Sequence, residues 1–204
     1  MLADIRFGSL QSFLAGFDLP GNILLLEGKR KVIKQDEEKL FKLGCSLAEH
    51  SRFLKFRSGN ASGADALFSA GVASLDASRL EVIKPYASHR NAAMVAGENY
   101  SMEEIDLAQE AEVIYYTREN KSMAGLVDKY LSQGPNPVTI RAAYVLRDTI
   151  KVSGTRSGIP PATVALFYDD LQHPLSGGTG HTIKTCQRLG VPFCNQLQWF
   201  NWIQ

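Results

Sequence analysis

Cysteine is scarce in this chain. The three residues, Cys45, Cys186 and Cys194, include no C-x-x-C pair, which is too few and too scattered for a disulfide framework. Cys45 and Cys186 fall among apolar helix positions, where a small buried side chain is expected. Histidine is almost as rare, and its four residues show neither metal-ligand spacing nor an H-E-x-x-H pattern, so no metal site is expected. An excess of either charge is missing too: 22 basic against 21 acidic residues leave a formal net charge of +1. No global field therefore draws the chain to nucleic acid or to an anionic membrane, and any basic site must be local. No apolar run approaches the roughly eighteen residues of a membrane span. The start, Met1 to Arg6, has no cationic stretch leading into an apolar one and is not read as a secretory signal. The expectation is a soluble, cytoplasmic protein. Internal repeats and low-complexity tracts are also absent. What remains is 204 residues, 45% of them hydrophobic, enough for one domain with an ordinary core.

Within that domain, short apolar runs alternate with helical spacing. Ser9 to Phe17 reads as a short amphipathic helix ended by Asp18-Leu19-Pro20-Gly21, and Ile23–Leu26 as a buried strand. Asp36 to Glu49 has helical periodicity, with acidic residues in its first turn. Phe53–Phe56 follows as a second strand, then the turn Ser58–Gly63, a helix from Ala64 to Ala73, and a third strand, Leu80–Ile83, stopped by Pro85. A helix is expected to start at Ser101, with Glu103 and Glu104 complementing its dipole. Val113–Tyr116 reads either as a strand or as that helix continued. Two more helices are expected, over Ser122–Leu131 and Val138–Thr149, before a glycine- and proline-containing loop at 152–161 and a late strand, Thr163–Tyr168. A helix over Ile183–Leu189 and the short apolar run Val191–Cys194 close the pattern. Strand–helix alternation of this kind argues for a parallel sheet covered on both faces. The whole chain, 1–204, is read as a single domain with a helical insertion at about 100–160.

The segments that follow the strands carry the chemistry. In an open parallel sheet, ligands bind beyond the carboxyl ends of the strands, where strand order reverses. The first strand delivers Glu27, Gly28, Lys29 and Arg30. The second delivers Ser58, Gly59, Asn60, Ala61, Ser62, Gly63 and Asp65, and the third leads to Lys84, His89, Arg90 and Asn91. The late strand delivers Ser176 followed by Gly177, Gly178, Thr179, Gly180, His181 and Thr182. Glycines between strand and helix let a ligand approach the backbone, and the free N–H groups of a helix start suit an anion, usually a phosphate. The hydroxyls of Ser176, Thr179 and Thr182 add possible donors. Each residue also has a plainer reading. Lys31 is best taken as a solvated charge, Gly59 and Gly63 as turn formers, and Asp65 as a carboxylate suited to a helix first turn. His173 is equally well a surface residue. Arg147 to Gly154 is a dense polar patch, read with equal weight as helix-end cations or as an arm over the ligand. The aromatic end, Leu197 to Ile203, is read as a cap docked on the core in preference to an oligomer contact.

The order Gly28-Lys29-Arg30, then Ser58-Gly59-Asn60-Ala61-Ser62-Gly63-Ala64-Asp65, then Arg90-Asn91, then Gly177-Gly178-Thr179 resembles the SLOG superfamily of Rossmann-like domains. That group includes the recombination mediator DprA (Smf), the LOG phosphoribohydrolases and small nucleotide-ligand sensors. The second segment is similar to the family's S-G-x-A-x-G-x-D element and the last to its G-G-T element, and the resemblance runs from about Asn22 to Gln196. It implies an α/β, Rossmann-like three-layer domain with a mostly parallel sheet. It also implies a pocket for a nucleotide or nucleotide-derived phosphate, with no further cofactor. Gly28 and Arg30 would line the first loop, Ser58, Gly59, Ala61, Gly63 and Asp65 the second, and Gly177, Gly178 and Thr179 would hold the phosphate. LOG enzymes carry P-G-G-x-G-T-x-x-E, whose glutamate is catalytic. Here His181 to Lys184 supply no acid, which leaves Glu27, Asp65 or Glu98 as the carboxylates for hydrolysis of a nucleoside 5′-monophosphate. The DprA-like alternative is single-stranded DNA binding, which needs a basic groove with stacking aromatics.

Overall fold

The computed structural model describes residues 6–89 and 96–203. Six strands form one sheet: β1 (Ile23–Gly28), β2 (Lys55–Ser58), β3 (Leu80–Lys84), β4 (Glu98–Ser101), β5 (Val164–Tyr168) and β6 (Phe193–Asn195). Their spatial order is β4-β3-β2-β1-β5-β6, and every pairing is parallel. The chain therefore steps outward from β1 to the β4 edge, returns to lay β5 beside β1, and continues outward the other way. Strand order reverses between β1 and β5, where Gly28 stands opposite Tyr168.

Among the described residues, eight α-helices complete a three-layer Rossmann-like fold: α1 (Leu10–Phe17), α2 (Lys34–His50), α3 (Ala64–Asp76), α4 (Ala111–Arg118), α5 (Lys121–Gln133), α6 (Ile140–Ser153), α7 (Gly177–Leu189) and α8 (Gln196–Trp199). Strand side chains alternate between the two faces. Leu24, Leu26, Phe56, Leu80 and Val82 pack with α1, α2, α3 and the aromatic end of the chain. Leu25, Ala165 and Phe167 pack against α7 and the end of α6, and Ile83 against α4, α5 and α6. The same alternation turns Glu27, Arg57 and Glu81 toward the α6 layer. There Arg57 pairs with Glu81 and donates to the Lys151 carbonyl at 3.0 Å.

The expected elements are present, with β2 starting at Lys55 rather than Phe53, three further differences, and the open reading of Val113–Tyr116 resolved. The strand β4 falls where none was expected; it is short and half polar, and only its pairing with β3 defines it. The helix expected at Ser101 is one 3-10 turn, Met102–Glu104, closed by a capping box between Ser101 and Glu104. Val113–Tyr116 is helical, within α4. The helix expected from Ile183 begins six residues earlier, so the glycines lie in its first turn rather than in a loop before it. Cys186 and Cys194 are buried, whereas Cys45 is half-exposed beside Ser74. The aromatic end is a docked cap: Trp199 is fully buried, with its indole N–H on the Phe167 carbonyl at 3.0 Å, and Trp202 donates to the Phe7 carbonyl at 3.1 Å.

Candidate functional site

An open cleft of about 1270 Å3 lies at the carboxyl ends of β1 and β5, where strand order reverses. One wall is the β1 end, from Glu27 to Lys31, with Ala61 and Asp65 behind it. Asp169 and Asp170 follow β5 on the opposite side, leading to the first turn of α7 from Ser176 to Thr179, with His181. The third wall comes from the segment between β4 and β5, including Tyr116, Asn120, Arg141 and Tyr144.

The first turn of α7 is open to this cleft. Ser176 is its N-cap residue but makes no side-chain capping bond. Gly177 has φ 61° with nothing near the position of a Cβ. A Cβ on Gly178 would meet only the Asp148 carboxylate, at 3.0 Å. Gly180 differs, because a Cβ there would stand 2.0 Å from the Leu175 carbonyl carbon; its role is close packing of the loop against the helix. Gly63 is also a packing residue, at φ +84° with its Cβ position 2.2 Å from the Arg30 carbonyl oxygen.

Asp65 ties the two loops on the other wall. Its carboxylate accepts the Gly28 N–H at 3.0 Å and faces the Ala61 N–H at 3.5 Å. Lys29 sits 3.7 Å from Asp170 and over the Tyr168 ring, and the Arg30 guanidinium lies 6.0 Å from the Tyr144 ring centre. Tyr144 also meets Arg147 and, through its hydroxyl, Tyr86 at 3.4 Å.

Beneath the cleft lies a buried charge cluster supplied mainly by α6. Lys151 donates to Glu27 at 2.6 Å and bridges to Asp148 at 2.9 Å, while Arg147 reaches Asp148 at 2.7 Å and the Gly59 carbonyl at 2.9 Å. Thr182 donates to the other Glu27 oxygen at 2.9 Å. With Asp65 included, three carboxylates face two cations. Fully ionised, the group would carry a net negative charge in a low-dielectric interior, and retaining a proton relieves it. Burial pushes the Glu27 carboxyl up to about 8, with Lys151 opposing and Asp148 and Asp65 adding to the rise. Burial also raises Asp65, against Lys151 and Arg147. For Asp148, burial is outweighed by Arg147 and Lys151, which hold it well below the carboxylate range. The hydrogen bonds fit a neutral Glu27. Thr182 has one hydroxyl proton for two acceptors, Glu27 and the Gly178 carbonyl at 3.2 Å. A protonated Glu27 donates to Thr182 and frees that proton for Gly178.

Of the residues expected at the site, Gly28, Lys29, Arg30, Ala61, Asp65, Gly177, Gly178, Thr179 and His181 line one cleft. Ser58, Gly59, Asn60, Gly63, Gly180 and Thr182 do not line it; Ser58 and Thr182 are fully buried and Asn60 nearly so. Arg90 lies outside the described residues. Arg147 and Lys151 form no arm over the cleft: Arg147 is buried in its lining and Lys151 is fully buried beneath it. Glu98 stands on edge strand β4, bound to Lys55 and Tyr100 and away from the cleft, so of the three carboxylates expected for hydrolysis only Glu27 and Asp65 line it. Asp148 was missed as a site residue. The signal available was its spacing from Lys151, one helical turn, on the face of α6 that also carries Tyr144, Val145 and Arg147, opposite the Ala142, Ala143 and Leu146 face. Among the described residues, no group of three or more His, Cys, Asp or Glu side chains is placed to hold a metal ion, and no helix is long and apolar enough to cross a membrane.

The fold and its cleft define a Rossmann-like α/β protein with an open cleft at the topological switch point. No protein-family model and no curated protein matches the chain. Among solved structures it is similar to DNA processing protein A from Helicobacter pylori, a structure described for its single-stranded DNA binding mode. The likeness has a TM-score of 0.48 and 15% identity, over 87% of this chain and 66% of that one.

Proposed function

We propose that this protein binds a nucleotide or nucleotide-derived ligand through its phosphate, in the cleft between β1 and β5. The observation that carries this reading is the convergence on one rim of two segments about 150 residues apart. The uncapped first turn of α7 offers free N–H groups and the positive end of its dipole, while Lys29 and Arg30 supply positive charge across the gap. The Tyr116 and Tyr144 rings on the third wall suit the flat, apolar faces of a base. A panel of nucleotides in a thermal-shift assay tests the reading, because a ligand that binds the folded state alone raises the melting temperature by mass action. At least one member should stabilise the wild type, and the Lys29→Ala/Arg30→Ala double variant should lose most of that gain. A panel without any shift, or a shift untouched in the double variant, overturns the proposal.

One observation supports an enzymatic version. A carboxyl that keeps its proton near neutral pH and lines a ligand cleft is suited to general-acid work. On that reading Glu27 protonates the leaving base of a nucleoside 5′-monophosphate. Release of free base by the wild type, abolished in Glu27→Gln, supports it; binding without release leaves a sensor.

A further inference from the structure

His181 lies in the first turn of α7, one residue before Thr182, and is nine-tenths buried. Its Nε2 stands 2.9 Å from the Thr149 hydroxyl, which stands 2.7 Å from the Thr117 hydroxyl, which in turn reaches the Val113 carbonyl at 2.6 Å. A carbonyl only accepts, so the short last contact requires the Thr117 proton. The proton between the two threonines must then come from Thr149. Thr149 also stands 3.2 Å from the Val145 carbonyl; whether its single proton goes to Thr117 or to that carbonyl, none is left for His181, so Thr149 accepts from the ring and Nε2 is the protonated nitrogen. The reverse order would leave two oxygen lone pairs facing each other at 2.6 Å.

Burial favours the neutral ring. Burial holds the His181 pKa below the usual histidine value, opposed by Asp148 of α6 and reinforced by Lys151 of α6 and Lys184 of α7. In a neutral ring protonated at Nε2, Nδ1 is a bare acceptor. Nδ1 has no hydrogen-bond partner among the described residues and is not sealed from solvent, and His181 lines the cleft. The acceptor therefore opens onto the cleft beside the free N–H groups of α7.

We propose that His181 Nδ1 accepts a proton-bearing oxygen of the bound phosphate, so that the cleft selects singly protonated phosphate over anions of similar size and charge that carry no proton. This inference rests on the phosphate reading of the cleft and adds the protonation state that the site requires. An anion without a donor would set its lone pairs against those of Nδ1. A site built to pair with a donor discriminates strongly against an analogue that lacks it.

Inorganic phosphate and sulfate are the direct probes, compared by NMR titration at about pH 8, where both are mainly dianions and phosphate carries one proton while sulfate carries none. The wild type should bind phosphate about tenfold or more tightly than sulfate, the scale of one hydrogen bond to a charged group. His181→Phe should bring the two anions to equal affinity. His181→Asn, whose side-chain oxygen replaces Nδ1 as acceptor, should keep part of the preference. Nitrogen chemical shifts of the free protein should show the Nε2–H tautomer, a readout that needs neither ligand nor variant. Equal binding of the two anions by the wild type, or an Nδ1–H tautomer, overturns the role of His181 and leaves the phosphate site standing. Failure of both anions to bind overturns the phosphate site and this inference together.

Discussion

At the scale of single residues, the floor of the cleft is an ionic cluster whose charges do not balance. Lys151 lies between Glu27 and Asp148, and Arg147 shares Asp148 with it. Glu27 is a carboxyl whose folded pKa, about 8, is raised above its unfolded value, about 4.5. The folded state thus binds more protons than the unfolded state between those values, so stability falls as pH rises through that window and levels off above it. Glu27→Gln cannot titrate, yet it can donate to Thr182 and accept from Lys151. The variant should match the wild type near pH 4.5 and gain on it steadily toward pH 8, by a few kcal/mol (~1.4 per pH unit of the window). Melting curves across that range check this, and a variant uniformly weaker at every pH would refute the proton on Glu27. Lys151→Ala should cost about 3–5 kcal/mol, because it strands buried carboxyls. Adding Glu27→Gln should recover part of that loss in a double-mutant cycle. Little of this cluster was legible in the sequence. Glu27 looked like the polar end of a strand and Lys151 like a helix-end cation, and neither reading reveals that β1 and α6 are stacked.

At the scale of elements, α7 shows what a glycine run conceals. The chain around Gly177–Gly180 reads as a loop because glycine weakens helices, whereas the structure makes it the first helical turn. Tertiary packing explains the difference: the loop from Leu175 lies so close to the helix that only Gly180 fits. Gly180→Ala should therefore destabilise by about 1–3 kcal/mol or more through overpacking. Gly177→Ala, strained at φ 61° but with open space around it, should cost only about 1–2 kcal/mol. Chemical denaturation orders the two, and a reversed order would mean the turn is held by something other than this contact. The buried strands β1 and β5 were readable from the sequence as apolar runs between turns, and β3 as a short one broken only by Glu81 and stopped by Pro85. The strand β4 was not, since Glu98–Ser101 has no apolar pattern and owes its conformation to the neighbouring β3 edge. Helix α6 was readable as a helix, but its buried polar face was not, because sequence spacing does not say what lies opposite.

At the scale of the whole molecule, parallel topology brings the loops after β1 and β5 together, so the location of the cleft follows from the alternation of strands and helices. The same scale separates the two partner classes raised by the sequence. A groove that tracks single-stranded DNA needs a continuous basic surface. Here the overall charge is +1, and Asp169, Asp170 and Glu119 interrupt the cations around the cleft. Each phosphate neutralised on a single strand contributes about −0.7 to the slope of log affinity against log salt. Two contacts, from Lys29 and Arg30, predict a slope of about −1.5 for a mononucleotide and nearly the same for an oligothymidine, since the additional phosphates meet mixed charge. Fluorescence anisotropy over a salt series measures both slopes. An oligonucleotide slope of about −4 or steeper would require six or more phosphate contacts, and the cleft would then be one station on a longer nucleic-acid track rather than a pocket for a single phosphate-bearing ligand.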